Sequence, residues 1–131
     1  TIVSENHKLE LTTLRKDIKT DGRYAEVEFT DDWKKDSERR DFTINAIYYD
    51  PLSKEVIDYT SGIKDLKEKK IRFIGDPEIR IQEDPVRILR AIRFAAKLDF
   101  SIEERALKPI ENFKYRISEM VCGRKKFIFY V

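Results

Sequence analysis

Residues that build disulfides and zinc sites are almost missing from this chain. Its 131 residues include one cysteine, Cys122, and one histidine, His7. One cysteine cannot form an intrachain disulfide, and these two residues are too few for a zinc site of the usual cysteine and histidine kind. A chain without disulfides fits a reducing compartment, and we therefore expect the protein to be cytoplasmic.

Long apolar runs and a large net charge are also missing. No run approaches the length of a membrane span, so we expect neither a membrane-spanning segment nor a membrane partner. The net charge is +2, which does not by itself indicate a nucleic-acid partner. Hydrophobic and charged residues each make up 40% of the chain, a balance that predicts a thin core and marginal stability for the isolated chain.

The predicted elements run from strands to helices. Residues 1–15 predict a hairpin or two short strands, and further strands are predicted over 24–29, 44–49 (buried), 56–59 and 71–74. Helices are predicted over 33–39, 62–68, 78–82 and 85–98. Another helix should begin at Ser101, which forms a capping box with Glu104, and Pro109 should kink or end it. The layout is α+β.

A carboxylate and a guanidinium lie three residues apart in the segment Glu-Asp-Pro-Val-Arg, residues 83–87. Asp84 can accept a hydrogen bond from an amino group, and Arg87 can donate one to a ring acceptor. Cytosine and adenine offer that pair of groups, whereas uracil and guanine do not. A local interpretation also stands, in which Asp84 caps the helix and Pro85 takes its first position.

Three segments in order resemble one family. Residues 38–50, E-R-R-D-F-T-I-N-A-I-Y-Y-D, resemble the R-R-D-F-T-x-N-A motif of the class II tRNA nucleotidyltransferases, the family of bacterial CCA-adding enzymes and poly(A) polymerases. Residues 83–95 resemble that family's E-D-P-x-R-x-L-R-A-x-R-F-A motif, and residues 9–15 with 21–23 resemble the strand and loop that precede the R-R-D-F-T-x-N-A motif. The resemblance implies the C-terminal half of a nucleotidyltransferase head over 1–82, then the start of a helical neck over 83–131.

The implied activity is template-independent addition of AMP or CMP to RNA 3′ ends. Its implied partners are ATP, CTP and the 3′ end of a tRNA or other RNA, and its implied cofactor in the complete enzyme is Mg²⁺. Both CCA addition and polyadenylation remain open. The alternative is a non-catalytic remnant of a decayed or split gene that binds nucleotide or RNA.

The resemblance also assigns roles to matching residues. The implied nucleotide-binding residues are Arg39, Arg40, Asp41, Asp84, Arg87, Arg90 and Arg93. The R-R-D triplet would hold the triphosphate and sugar, because guanidinium groups bind phosphate oxygens and a carboxylate can accept from a 2′-hydroxyl. The alternative for the triplet is a surface ion-pair cluster, and for Arg90 and Arg93 it is plain helix solvation.

Glu10 resembles the third carboxylate of the family's metal site, which implies a catalytic and metal-binding role. Its alternative is an exposed strand residue. The family's G-G-x-V-R-D segment and Asp-x-Asp pair have no counterpart among these residues. Because that pair binds the activating metal ions, we expect this chain alone to be inactive, with the missing half supplied by a preceding segment or a separate chain.

Other acidic residues are weaker candidates for a replacement metal site. They are Glu26, Glu28, Asp31 and Asp32, and the last two also fit the capped start of the helix at Trp33. The chain begins with Thr1 and ends in an apolar run over 127–131. We expect a fragment whose tail arose from a premature stop or a change of reading frame.

Three aromatic residues near the motifs have two interpretations. Tyr48, Tyr49 and Phe94 could stack on a base or a primer end. Aromatic residues in strands and on apolar helix faces are more often part of the core, and that interpretation is favoured here.

Overall fold

Strands precede most of the helices in the protein. The computed structural model describes residues 2–4, 7–9, 15–21, 24–29 and 32–122, with side chains over 32–117. The strands are β1 (Ile2–Ser4), β2 (His7–Leu9), β3 (Arg15–Asp21), β4 (Tyr24–Phe29), β5 (Ile47–Asp50), β6 (Glu55–Asp58), β7 (Lys70–Ile71) and β8 (Ser101–Ile102). The helices are α1 (Trp33–Glu38), α2 (Gly62–Glu68), α3 (Pro77–Glu83), α4 (Val86–Leu98) and α5 (Glu104–Cys122). The predicted α+β class is confirmed.

Each described strand pairs with one neighbour. β1 pairs with β2, β3 with β4 and β5 with β6, all antiparallel, while β7 and β8 are parallel. The pairs confirm the predicted strands within 1–15 and over 24–29. β3 was not predicted, because its sequence R-K-D-I-K-T-D contains one apolar residue and so lacks the alternation that marks a half-buried strand.

The strand predicted over 44–49 is partly wrong. Residues Thr43–Asn45 form a 3-10 turn, and β5 begins only at Ile47. The strand is not buried either, since Tyr49 is 59% exposed. The turn is held because the Thr43 hydroxyl donates to the buried Asp65 carboxylate at 2.7 Å, which takes this part of the chain away from strand geometry.

The helix predicted from Ser101 begins three residues later than expected. Ser101 instead starts β8, and its N–H donates to the Lys69 carbonyl at 2.9 Å. Because α5 begins three residues further along the chain, Ser101 does not occupy the N-cap position. α5 begins at Glu104 and continues through Pro109 to Cys122, so the proline does not end it.

The core joins the segment after α1 to β7 and the last three helices. Its buried side chains include Phe42, Ile71, Phe73, Ile81, Ile88, Ala91 and Ala106. Phe42 packs edge-on against Phe73 and Phe94, with ring centroids 5.0 and 5.7 Å apart. Because Phe42 follows Asp41 directly, this packing fixes where the Asp41 carboxylate lies.

Helix α2 is held by a carboxylate that precedes it. Asp58 accepts hydrogen bonds from the N–H groups of Gly62 and Ile63 at 2.9 and 3.0 Å. Burial opposes ionisation, but these N–H donors lower the pKa of Asp58 below its ordinary value. Gly62 lies so close to Thr43 that an added Cβ would be 2.1 Å from the Thr43 carbonyl oxygen. Only glycine therefore fits at the start of this helix.

None of the helices within the described residues is long and apolar enough to cross a membrane.

Candidate functional site

Asp41 lies between two arginines of α4 that are far from it in sequence. The Arg87 Nε donates to one Asp41 oxygen at 2.8 Å, and the Arg90 Nη1 donates to the other at 2.6 Å. Arg87 is 7% exposed, whereas about half of the Arg90 side chain faces solvent. The R-R-D-F-T segment and the E-D-P-x-R segment therefore meet at this carboxylate.

The two arginines change the acidity of Asp41. Its partial burial opposes ionisation, but the hydrogen bonds and positive charges of Arg87 and Arg90 lower the pKa of Asp41 below its ordinary value. The carboxylate is thus ionised and already occupied by two cations in the free protein. A sugar hydroxyl donating to Asp41 would have to share these oxygens with the two guanidinium groups.

The lowered pKa of Asp41 should make stability rise with pH in acid. Its ionised form is favoured in the folded chain, so its contribution is present above the unfolded pKa and is lost as pH falls through the folded pKa. We expect Asp41→Asn to flatten the acid limb of the stability profile, measured by urea unfolding from about pH 2 to pH 6. Parallel profiles for the two proteins would contradict this account.

Arg87 is also fixed by the end of α3. Its Nη1 donates to the Arg80 carbonyl at 2.7 Å and to the Glu83 carboxylate at 3.0 Å. Its Nη2 makes no hydrogen bond to the residues that the structure describes. That nitrogen is the donor that a ring acceptor of a base could use.

Asp84 is buried at the junction of α3 and α4. Its Oδ1 accepts from the Val86 N–H at 3.2 Å, and Pro85 precedes the helix rather than forming its first residue. The helix starts one residue later than predicted, with Pro85 as its N-cap residue and Asp84 as the C-cap residue of α3. The predicted N-cap position of Asp84 is therefore wrong, although its carboxylate still accepts from the Val86 N–H. The Arg87 N–H donates to the Asp84 carbonyl at 3.0 Å, but the Asp84 carboxylate and the Arg87 guanidinium do not bond to each other, so a ligand could engage both side chains.

Arg39 and Arg40 converge on one fully buried carboxylate. The Nε atoms of both arginines donate to Asp36 at 3.1 Å, and the Tyr48 hydroxyl donates to it at 2.7 Å. Arg40 Nη2 also donates to Asp36 at 2.9 Å, and Arg40 Nη1 donates to the Asn45 carbonyl at 3.3 Å. The guanidinium of Arg40 is thus engaged within the fold at all three nitrogens.

This cluster shifts two pKa values upward. Burial, followed by the hydrogen bond to Asp36, raises the pKa of Tyr48 to about 12. For Arg40, burial alone would lower the pKa, but the bond to Asp36 and the neighbouring charges raise it above its ordinary value. Tyr48 also lies below the Arg40 guanidinium, whose carbon is 5.4 Å from the ring centroid.

Several predicted site residues are not brought to Asp41. Arg93 is exposed on α4, with no hydrogen bond or ion pair to the described residues. Glu10 and Asp31 lie outside the described residues, as do the side chains of Glu26 and Glu28. Asp32 caps α1 by accepting from the Lys34 and Lys35 N–H groups at 3.0 and 3.3 Å, which confirms the capping interpretation for this residue.

The three aromatic residues have different environments. Phe94 packs against the core, as predicted, and Tyr48 is partly buried beside Trp33 with ring centroids 5.5 Å apart. Tyr49 is largely exposed, so the core interpretation is wrong for that residue. It lies on the antiparallel pair β5 and β6, opposite the exposed Val56.

Two residues of this region were missed by the sequence analysis. Asp36 precedes Arg39 and Arg40 by three and four residues, the spacing at which helical side chains pair, so the predicted helix over 33–39 could have indicated it. Arg80 donates to the carbonyls of Arg39 and Arg40. These two carbonyls are about 40 residues away in sequence, and no sequence pattern indicates such contacts.

A comparison with protein families matches residues 1–72 to the poly(A) polymerase head domain. The chain belongs to the poly(A) polymerase head-domain family. The chain is 52% identical over 100 residues to mitochondrial CCA tRNA nucleotidyltransferase 1 of Danio rerio, a match covering 75% of this chain and 23% of the relative. It is 57% identical over 79 residues to poly(A) polymerase I of Haemophilus influenzae, covering 60% of this chain and 18% of that protein. The chain thus spans about a quarter or less of these relatives.

Solved structures of this family share the fold. The Bacillus stearothermophilus CCA-adding enzyme in complex with CTP superposes with a TM-score of 0.71 at 30% identity, covering 82% of this chain and 25% of that chain. A tRNA nucleotidyltransferase complexed with a primer tRNA and an incoming ATP analogue gives a TM-score of 0.59 at 40% identity, covering 65% of this chain and 25% of that one. The resemblance to the class II nucleotidyltransferases is confirmed.

Proposed function

We propose that this chain recognises the nucleotide for a template-independent RNA nucleotidyltransferase. The activity would be transfer of AMP or CMP from a nucleoside triphosphate to the 3′ end of a tRNA or another RNA. The observation that carries this proposal is Asp41 held between Arg87 and Arg90, because it joins the two motif segments in one site. Relatives solved with CTP and with an ATP analogue and primer tRNA support it.

Each site residue has a proposed task that fits its contacts. Asp41 would accept from the ribose, and Arg87 would donate through Nη2 to the ring acceptor of adenine or cytosine. Asp84 would accept from the amino group of the same base. Arg90 and Arg93, whose side chains are exposed, would contact phosphates through their guanidinium groups.

Arg39 and Arg40 need a narrower role than the motif resemblance implies. Both already bind Asp36, and Arg40 uses all three nitrogens inside the fold. We propose that Arg40 does not contact the triphosphate directly, because its three guanidinium nitrogens are already engaged within the fold. Arg40 would then act by shaping the loop that carries Asp41.

Mg²⁺ is proposed for the complete enzyme only. Among the residues that the structure describes, no group of three or more histidine, cysteine or acidic side chains could hold a metal ion. The described residues therefore do not by themselves provide a site for the ion. The catalytic and metal-binding role of Glu10 remains a prediction. The cytoplasmic location and the division into a head over 1–82 and a neck over 83–131 also remain predictions.

Nucleotide binding tests the proposal directly. We expect the chain to bind ATP and CTP more tightly than GTP and UTP in isothermal titration. Asp84→Ala and Arg87→Ala should each weaken ATP binding by about 1–3 kcal/mol, about 5- to 150-fold, because each removes a hydrogen bond to the base.

Lys108→Ala is the matched control, since Lys108 is exposed on α5 and lies outside both motif segments. Thermal unfolding followed by circular dichroism shows whether each variant keeps its fold. The proposal would be contradicted if all four nucleotides bound equally weakly and neither substitution changed their affinity. That result would favour the non-catalytic interpretation.

A further inference from the structure

Arg80 ties helix α3 to the segment that carries Asp41. Its Nη2 donates to the Arg40 carbonyl at 2.7 Å and to the Arg39 carbonyl at 3.3 Å. The Arg80 side chain is only 13% exposed, so these charge-assisted bonds are largely shielded from water. The backbone immediately before Asp41 is therefore held by this side chain.

The main chain of Arg80 holds the other partner of Asp41. The Arg80 carbonyl accepts from Arg87 Nη1 at 2.7 Å. Glu83 lies between the two guanidinium groups, 3.0 Å from Arg87 Nη1 and 3.5 Å from Arg80 Nη1. One residue thus contacts both sides of the Asp41–Arg87 ion pair.

These contacts form a closed ring. It runs from the Arg80 side chain to the Arg40 carbonyl, through Asp41 to Arg87 Nε, and from Arg87 Nη1 to the Arg80 carbonyl. Within this ring the Arg87 guanidinium is bound at two of its nitrogens, Nε to Asp41 and Nη1 to the Arg80 carbonyl, so its plane has little freedom to turn. Since Arg87 Nη2 lies outside the ring, the ring determines the direction in which this donor is presented.

We propose that Arg80 is a positioning residue that sets base selectivity by fixing Arg87 against Asp41. This inference rests on the proposed function, because it assumes that Arg87 reads the base. Arg80 itself would touch neither the base nor the phosphates. Without the Arg80 side chain, the segment before Asp41 would be released from α3 and Arg87 would lose its fixed orientation. Guanine and uracil would then be rejected less strongly than in the native protein.

A planar guanidinium is needed for this task. Arg80 offers several donors in a fixed plane, and they serve two carbonyls and a carboxylate together. A lysine ammonium is a compact group on a flexible stem and cannot hold this geometry. Arg80→Lys should therefore fall between the native protein and Arg80→Met.

The test compares native protein, Arg80→Met and Arg80→Lys in two measurements. The first is the ratio of ATP to GTP affinity, which we expect to fall at least about tenfold in Arg80→Met. The second is the ¹⁵N–¹H resonance of the Arg87 Nε–H group, assigned with Arg87→Lys, which should shift and exchange faster with water in the variant. Lys108→Met removes an exposed positive charge and should change neither result.

The outcomes separate the two claims. A folded Arg80→Met with an unchanged affinity ratio and an unmoved Arg87 Nε–H signal would overturn the positioning role. If Arg80→Met does not fold, Arg80→Lys carries the same comparison. If the native protein showed no preference for ATP over GTP, the proposed function would be overturned. The Arg87 Nε–H resonance in Arg80→Met would then test alone whether Arg80 fixes the orientation of Arg87.

Discussion

Asp36→Ala should lower the free energy of unfolding by about 3–5 kcal/mol, the usual cost of removing one partner from a buried ion pair. Asp36 is fully buried and accepts hydrogen bonds from Arg39, Arg40 and Tyr48. Alanine would remove the buried carboxylate that two partly exposed guanidinium groups and a hydroxyl share. Such a loss is large compared with the stability expected of a chain of this length.

Urea unfolding of native protein, Asp36→Ala and Asp36→Asn measures this effect. The asparagine variant keeps the shape and one acceptor oxygen but not the charge, so its loss should be smaller. Glu111→Ala is the matched control, because Glu111 pairs with Lys114 on the exposed face of α5 and such pairs contribute about 0–1 kcal/mol. A loss for Asp36→Ala no larger than that of Glu111→Ala would show that the cluster does not stabilise the fold.

Phe42→Ala should be similarly severe, at about 3–5 kcal/mol. The Phe42 side chain is fully buried and packs edge-on against Phe73 and Phe94. Its backbone also forms an antiparallel bridge with Phe73, so the ring cannot easily be replaced by collapse of the chain around it. The cost combines the lost burial with the cavity that remains.

Chemical denaturation of Phe42→Ala and Phe42→Leu measures this effect. Phe42→Leu should lose much less free energy of unfolding than Phe42→Ala, since leucine fills part of the cavity. Leu52→Ala is the surface control, as Leu52 is almost fully exposed and its change should stay within about 0.5 kcal/mol. If Phe42→Ala behaved like Leu52→Ala, the core described around Phe42 would be wrong.

Local signals in the sequence were sufficient for most helices. The Gly62–Glu68 helix has the predicted bounds, and the helices at Trp33 and after Pro85 differ by one residue at an end. Capping residues and prolines mark such boundaries within a few residues of the chain. Ser101 shows the limit of these signals, because its pattern fits a helix cap while its N–H bonds to Lys69 across the fold.

Contacts between distant segments could not be derived in the same way. The sequence motifs named Asp41, Arg87 and Arg90, but the pairing of Asp41 with both arginines joins positions 46 and 49 residues apart. The inward orientation of Arg40 depends on Asn45 and Tyr48 as well as Asp36. Tertiary packing decides such choices, since an arginine just after a short helix can equally face solvent.

The parallel pairing of β7 with β8 has a consequence for how the chain reaches this fold. It is reinforced by Glu103, whose carboxylate accepts from the Phe73 N–H, a contact between residues 30 positions apart. Closing a loop of that length carries an entropic cost of about 3 kcal/mol, and α3 and α4 lie within it. We expect the two helices to dock as the loop closes rather than before, so formation of the Asp41 ion pairs is a late folding event tied to chain topology.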